Sequence, residues 1–364
     1  MLLPVYAAFA AAFVFYLLVP IAGAFVLRGQ WRRFRLAIAR LASLPYLRYR
    51  DLAEAEAAGR QRVGLFRLQG TIEAIEGPDK VWVRGKEVSA LIDLSRAPLY
   101  VLPPGPASSP AEPGSVERLS WSSVSSLVEG TSIFVAGILV LERGRPTFVD
   151  DPDDALIAVC HDAEEGRLVS RLIEGGRAPN EYWNYLTRLS MAIGLVAISG
   201  LLLLLRTSIF STLRSLMFLA GLSPVLPFAP PGLALFFLYR KFWRRALASR
   251  VARDLLRLPL RYPEGGGAGA YRRRVLGKDE SPPEGATLIG GRGAGGEGGA
   301  FTVFSPTDQG DPMAETFIVE GDPEAREMGA ERSAFLYAAA SGIALGLAVI
   351  VNFALAFVIW RAAL

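Results

Sequence analysis

The chain holds one thiol and one imidazole, and they are neighbours: Cys160 and His161. A thiolate beside an imidazole makes a nucleophilic pair only when the two side chains meet. Adjacent residues on a strand point to opposite faces, so these two meet only if the strand ends between them. A Cys/His zinc centre needs about four ligands, and this composition cannot supply them. A single cysteine also excludes an intramolecular disulfide. "GRGAGG" (291–296) has the G-x-G-x-x-G spacing. A dinucleotide site needs a strand before that motif and a helix opening at it, so that backbone amides meet the pyrophosphate. Here more glycine and the strand-like "AFTVF" follow, and a flexible hairpin loop is expected. Gly277-Lys278 has no glycine five residues earlier and is no phosphate loop. Asp150, Asp151, Asp153 and Asp154 could offer oxygens to a cation, but Pro152 and the absence of a calcium-loop pattern read as a solvated turn. No catalytic, cofactor or metal-ligating residues are assigned, and no cofactor is expected.

The elements that would carry any function are membrane spans and β segments. The 364 residues are 51% hydrophobic with a mean hydropathy of +0.32, apolar beyond an ordinary soluble chain. The excess lies in four runs: 3–27, 186–206, 214–239 and 335–360. A bilayer core about 30 Å thick takes roughly 20 helical residues, and each run is long enough. The third carries Pro224, Pro227, Pro230 and Pro231, so it must break or kink. None has a charge near its centre, and Asn352 is the main polar residue, suited to an interhelical hydrogen bond. The first run has no Lys or Arg before Arg28, which reads as a retained anchor rather than a cleaved leader.

Basic residues cluster after the first and third runs. "WRRFRLAIARLASLPYLRY" (31–49) and "WRRALASRVARDLLRLPLRY" (243–262) share their opening and their Leu-Pro and Leu-Arg-Tyr ends. The basic juxtamembrane helices are expected over 28–59 and 240–262. Trp31, Phe34, Ile38 and Leu41 form one apolar stripe, and Trp243, Leu247, Val251 and Leu255 the other. Arg28, Arg32 and Arg35, and Arg250, Arg253 and Arg257, lie off those stripes. Such helices can lie at the interface or continue the spans onto the soluble domain. The interface set is Trp31, Arg32, Arg33, Trp243, Arg244 and Arg245, with tryptophan at headgroup depth and arginine reaching anionic lipid phosphates. The positive-inside rule puts both basic ends, and so both large loops, in the cytoplasm of a plasma (inner) membrane protein. The net charge of +4 comes from these clusters, and nucleic acid is not an expected partner.

The first loop alternates with period two. "RVGLFRLQGTIEAIEG" (62–77), "KVWVRGKEVSALIDL" (80–94), "APLYVLPP" (97–104), the hairpin "TSIFVAGILVLERGRPTFV" (131–149) and "DALIAV" (154–159) predict a β-rich domain over 60–165, barrel- or sandwich-like. A helix capped by Asp162 and a linker follow over 166–185. A smaller Gly-rich β segment and a helix start are expected over 263–334. "DPDDALIAVCHDAEE" (151–165) aligns without gaps to "DPMAETFIVEGDPEA" (311–325), matching Asp151, Pro152, Val159, Asp162 and Glu164 to Asp311, Pro312, Val319, Asp322 and Glu324. The order span, basic helix, β segment, Asp-capped helix, span thus occurs twice. The expected fold class is a four-span helical membrane protein with a cytoplasmic β-rich domain and a tandem repeat.

The span, the β stretch "VEGTSIFVAGILVLERGRPTFVDDPDDALIAV" (128–159), the acidic helix start and the second span together resemble the membrane-flanked region of the GIDE/MULAN membrane ubiquitin-ligase family, over about 60–205. Those ligases carry a C-terminal zinc RING, which one Cys and one His cannot build, so neither ligase activity nor any functional residue carries over. The resemblance implies a membrane-side β domain that senses or binds a partner. The expected function is non-enzymatic: a protein-partner or assembly module on a lipid bilayer. A transport or channel component is the alternative, and a membrane-bound enzyme the third.

Overall fold

The computed structural model describes residues 3–103, 116–119, 127–162, 166–178, 180–204, 211–225, 228–261, 271–277, 280–281, 283, 285–289, 300–307, 311 and 314–363. The helices are α1 (Leu3–Phe13), a π turn (Val14–Leu18), α2 (Val19–Ala42), α3 (Tyr49–Ala57), α4 (Leu168–Gly175), α5 (Tyr185–Leu204), α6 (Ser211–Leu222), α7 (Gly232–Arg261) and α8 (Pro323–Ala363). The strands are β1 (Arg62–Glu76), β2 (Lys80–Gly85), β3 (Ser89–Asp93), β4 (Leu99–Leu102), β5 (Glu117–Leu119), β6 (Ser132–Glu142), β7 (Arg145–Val149), β8 (Ile157–His161), β9 (Tyr271–Val275), β10 (Thr287–Ile289), β11 (Phe301–Pro306) and β12 (Phe317–Glu320). They fall into two compact units: 1–31, 178–250 and 328–364 form the first, and 32–177 with 251–327 the second.

The first unit is helical. Among the described residues three helices are long and apolar enough to cross a membrane: Val5–Ala42, Tyr185–Leu203 and Pro323–Ile359. The run expected at 214–239 is two pieces, α6 and α7. The 12 residues of α6 rise about 18 Å, short of a bilayer core. Proline explains the break, since it removes an amide donor and clashes with the preceding turn. Pro227 itself lies outside the described residues. Asn352 of α8 repairs the far side: the Gly232 amide donates to its Oδ1 at 3.0 Å and its Nδ2 donates to the Ala229 carbonyl at 2.7 Å. A helix start inside an apolar bundle is thereby capped from its neighbour.

The π turn has a similar cause. Pro20 has no N–H for the Tyr16 carbonyl, and the Val19 amide reaches back to Val14. The Tyr16 and Phe15 carbonyls instead accept from the hydroxyls of Tyr182 and Ser190, the latter at 2.5 Å. A widened turn thus marks where α5 and its entry segment grip the first span.

The second unit is β-rich. β1, β2, β3, β7 and β6 pair in that order, and β6 returns to β1. The result is a closed five-stranded barrel with β3 and β7 parallel. Closure uses one long strand: Arg62–Thr71 of β1 face β6, and Gly70–Glu76 face β2. Gly70 sits where the partners change, and a Cβ there would strike the Arg84 backbone. The β6–β7 turn is Arg143-Gly144, both in the left-handed region (φ 52° and 77°), which matches the twist of a two-residue hairpin. Leu68, Ile92, Ile133, Leu139 and Phe148 are fully buried in the core, each contributing about 1.5–3 kcal/mol. β8, β4 and β5 extend the sheet from β6.

The second sheet has the order β10-β12-β11-β9. β12 lies between antiparallel β11 and parallel β10, as β8 lies between antiparallel β6 and parallel β4. β9 pairs antiparallel with β11 as β1 does with β6. The registers correspond as well: Cys160 faces Ile133 and Glu320 faces Phe301, while Phe134 faces Gln69 and Thr302 faces Val275. The barrel strands β2, β3 and β7 have no counterpart among the described residues of this sheet.

Four expectations need correction. The basic helix of 28–59 is two helices, because Pro45 enters a bridge to β1: Arg67 N donates to Pro45 O and Leu47 N to Arg67 O. Asp162 does not cap α4, which starts at Leu168 after Arg167; Gly166, at φ 77°, cannot lie in a right-handed helix. Its aligned counterpart Asp322 does act as a cap, accepting the Ala325 amide at 3.2 Å. The helix it opens, α8, runs on into the span. Finally, the tract 290–299, expected as a hairpin loop, lies outside the described residues; its flanks β10 and β11 each pair with β12, which lies between them.

Candidate functional site

Three polar centres stand out, two in the second unit and one in the first. In the second unit β1 carries Arg67, whose side chain is 5% exposed. Its Nε donates to the Leu44 carbonyl at 2.7 Å, and its Nη2 donates to the carboxylate of Asp311, 3% exposed. Nearby, Glu315 accepts from the Ser170 amide at 3.0 Å and the Thr287 hydroxyl at 2.8 Å. Burial raises the Glu315 pKa and outweighs those hydrogen bonds, which lower it. Tyr271 is buried against Phe317, ring centroids 5.7 Å apart, and burial first, then Glu315, raises its hydroxyl pKa. Arg67 and Ser170 come from the first loop, and Asp311, Glu315, Thr287 and Tyr271 from the second. Removing charges from water costs several kcal/mol each, recovered only when every partner is in place. This centre is a lock between the two loops.

A second lock joins the basic helices in the same unit. Arg35 Nε donates to Asp254 at 2.7 Å and its Nη1 to the Gly176 carbonyl at 2.7 Å. Arg253 also holds Asp254, at 2.8 Å, and Arg257 holds Glu327 at 2.5 Å. Phe34 packs on Tyr100 at 4.6 Å between ring centroids. Of the expected stripes, Phe34, Ile38, Leu41, Leu247 and Leu255 are buried, while Trp31, Trp243 and Val251 are half-buried. α2 and α7 run unbroken past Arg28 and Arg240 to Ala42 and Arg261.

In the first unit, Glu181 receives Arg28 at 2.5 Å and Arg250 at 3.2 Å. Both guanidiniums also lie over the Trp243 ring, at 6.0 and 5.2 Å from its centroid. Two cations thus contact the Trp243 ring. Asn184 supports the segment, donating to the Pro20 carbonyl at 3.0 Å and accepting the Leu186 amide at 3.0 Å. Arg32, Arg33, Arg244 and Arg245 are exposed. Arg245 lies over Tyr337, 5.6 Å from the ring centroid. Arg240, Lys241, Arg244 and Arg245 line an open cavity of about 450 Å³ with Phe237.

Cys160 faces the barrel core, where burial pushes its thiol up to about 11. His161, next on the strand, is also buried; burial first, then Arg171, lowers it to about 4. Among the described residues no group of three His, Cys, Asp or Glu is placed to hold a metal ion. The acidic run is occupied locally. Asp150 accepts the Leu156 amide at 2.9 Å, Asp151 the Asp153 amide at 3.0 Å, and Asp154 pairs with Arg40 at 2.7 Å.

Sequence reasoning missed Arg67, Asp311, Glu315 and Glu181. One signal existed for Asp311, which aligns with Asp151. Each pairs with an arginine of β1, Asp151 with Arg62 at 3.8 Å and Asp311 with Arg67. No family profile, no curated protein and no solved structure matches this chain.

Proposed function

We propose that the chain is a four-pass, non-enzymatic protein of the plasma (inner) membrane. Its two loops together form one cytoplasmic module that binds a protein partner or assembles a complex. The Arg67–Asp311 contact carries this reading. Two loops that share a buried ion pair lie on one side of a bilayer. The chain between them must then cross an even number of times. α5 is one crossing, which makes the proline-broken α6–α7 stretch the return. The arginines after the first and third runs favour the cytoplasmic side. The matching strand order and register of the two sheets support a tandem repeat, and the barrel half fits the GIDE-type resemblance.

A photo-reactive residue placed at Lys86 or Glu142, both exposed, tests partner binding in the full chain in native membranes. A discrete adduct at one position is expected, and its absence at every barrel position tried overturns the module. Transport is the second reading, favoured by the broken span. Its freed polar groups at Ala229 and Gly232 are engaged by Asn352, which leaves less for a substrate. Flux in proteoliposomes that falls on replacing Pro227 and Pro230 would move the assignment there.

A further inference from the structure

We infer that the α7 cavity lined by Phe237, Arg240, Lys241, Arg244 and Arg245 binds the headgroup of an anionic phospholipid. The inference deepens the lipid-contact reading and rests on the apolar start of α7 lying in the bilayer. Positions 237, 240, 241, 244 and 245 follow the helical repeat and share one face. Like charges at i,i+4, as in Arg240/Arg244 and Lys241/Arg245, repel one another, and a bound anion relieves that repulsion. The cavity-lining set is exposed and adjoins the apolar turn that carries Phe237. Phe242 stacks on Tyr337 at 6.2 Å, and Arg245 covers the same ring, so α8 holds this turn of α7. A phosphate among the cations with acyl chain along Phe237 fits this order of charge and apolar surface. A free phosphate ion would use the cations but not Phe237.

Native mass spectrometry of the full-length protein, released from phosphatidylcholine bilayers containing phosphatidylglycerol, reads lipid retention directly. Wild type is expected to keep phosphatidylglycerol over phosphatidylcholine. Lys241→Gln with Arg244→Gln should lower that retention roughly thirtyfold, the attraction of two interfacial charges. Lys241→Gln alone changes only an exposed side chain and should give an intermediate loss with unaltered folding. Arg60→Gln with Arg96→Gln removes as much exposed charge from the barrel loop and should leave retention unchanged. Equal loss from both pairs, loss from neither, or displacement of the lipid by inorganic phosphate overturns the site. A separate label reports the reading beneath it: water-accessible cysteines at Phe237 and Leu238 would show that α7 starts outside the bilayer.

Discussion

Arg67 and Asp311 lie 244 residues apart in the chain and form a buried ion pair. The pair joins a barrel strand of the first loop to the segment leading into β12 of the second. Removing one partner leaves the other buried without this contact, which costs about 3–5 kcal/mol. Arg67→Met should therefore lower the thermal midpoint of the purified protein by roughly 10 °C. Adding Asp311→Leu should recover most of the loss, because two apolar groups need no pairing. Unchanged stability in the single variant would show that the loops are not joined there.

The proline-broken segment gives a second prediction. Asn352→Leu removes the acceptor of the Gly232 amide and one of two donors to the Ala229 carbonyl, the Leu233 amide remaining. Hydrogen bonds between helices in a bilayer contribute about 0.6 kcal/mol on average, and up to about 1.7. Thermal unfolding in detergent should show a loss in that range. Gly232→Ala should cost more, since a Cβ there collides with the Asn352 amide. Equal stability of both variants with wild type would contradict the cap.

How far the sequence reached depends on the range of each interaction. The β6–β7 hairpin was legible because Arg143-Gly144 and the flanking alternation are local. The breaks at Pro45 and in the third run were signalled by proline chemistry, although the first was read as continuous helix. Asp162 misled, because the aspartate signal says nothing of the left-handed Gly166 behind it, while Asp322, with no such glycine, did cap. The place of β12 between β10 and β11 was hidden, since two short apolar runs around glycines look like a hairpin whichever third strand separates them. Arg67, Asp311 and Glu315 were not legible as a site: nothing local marks a charge whose partner lies in the other loop.

His161 sets a pH dependence. In the fold its pKa is about 4, against an ordinary value of 6.5. Below about 6.5 the unfolded chain takes up a proton that the folded chain refuses. Stability from this group is present above that pH and is lost as pH falls towards 4, up to about 3 kcal/mol. His161→Gln should flatten the fall in thermal midpoint between pH 7 and pH 4.5 relative to wild type. Parallel curves would contradict a buried neutral imidazole.

Glu315 acts with the opposite sign. Its raised pKa means the folded chain holds a proton that the unfolded chain releases above about 4.5. Stability from this group is present at low pH and is lost as pH rises through the folded value. Glu315→Gln, which keeps an acceptor for Ser170 and Thr287, should gain on wild type as pH rises from 4.5 to 8 in the same unfolding assay. A constant difference would show that Glu315 is ionised in the fold throughout.

Cys160 should be inert. A thiol pushed up to about 11 and buried in the barrel is neither ionised nor reachable at neutral pH. Maleimide should modify it in denaturant and leave it untouched in native micelles. Rapid native labelling would mean that the barrel opens at β8.

Membrane sidedness tests the central claim most directly. On a Cys160→Ser background, single cysteines at Glu142 and Ser281, exposed in the first and second loops, are treated with a membrane-impermeant maleimide. Both should be protected in intact cells and both labelled in inverted vesicles, which places the loops on one cytoplasmic face with four crossings. Opposite labelling of the two positions would contradict the four-pass, single-module account outright.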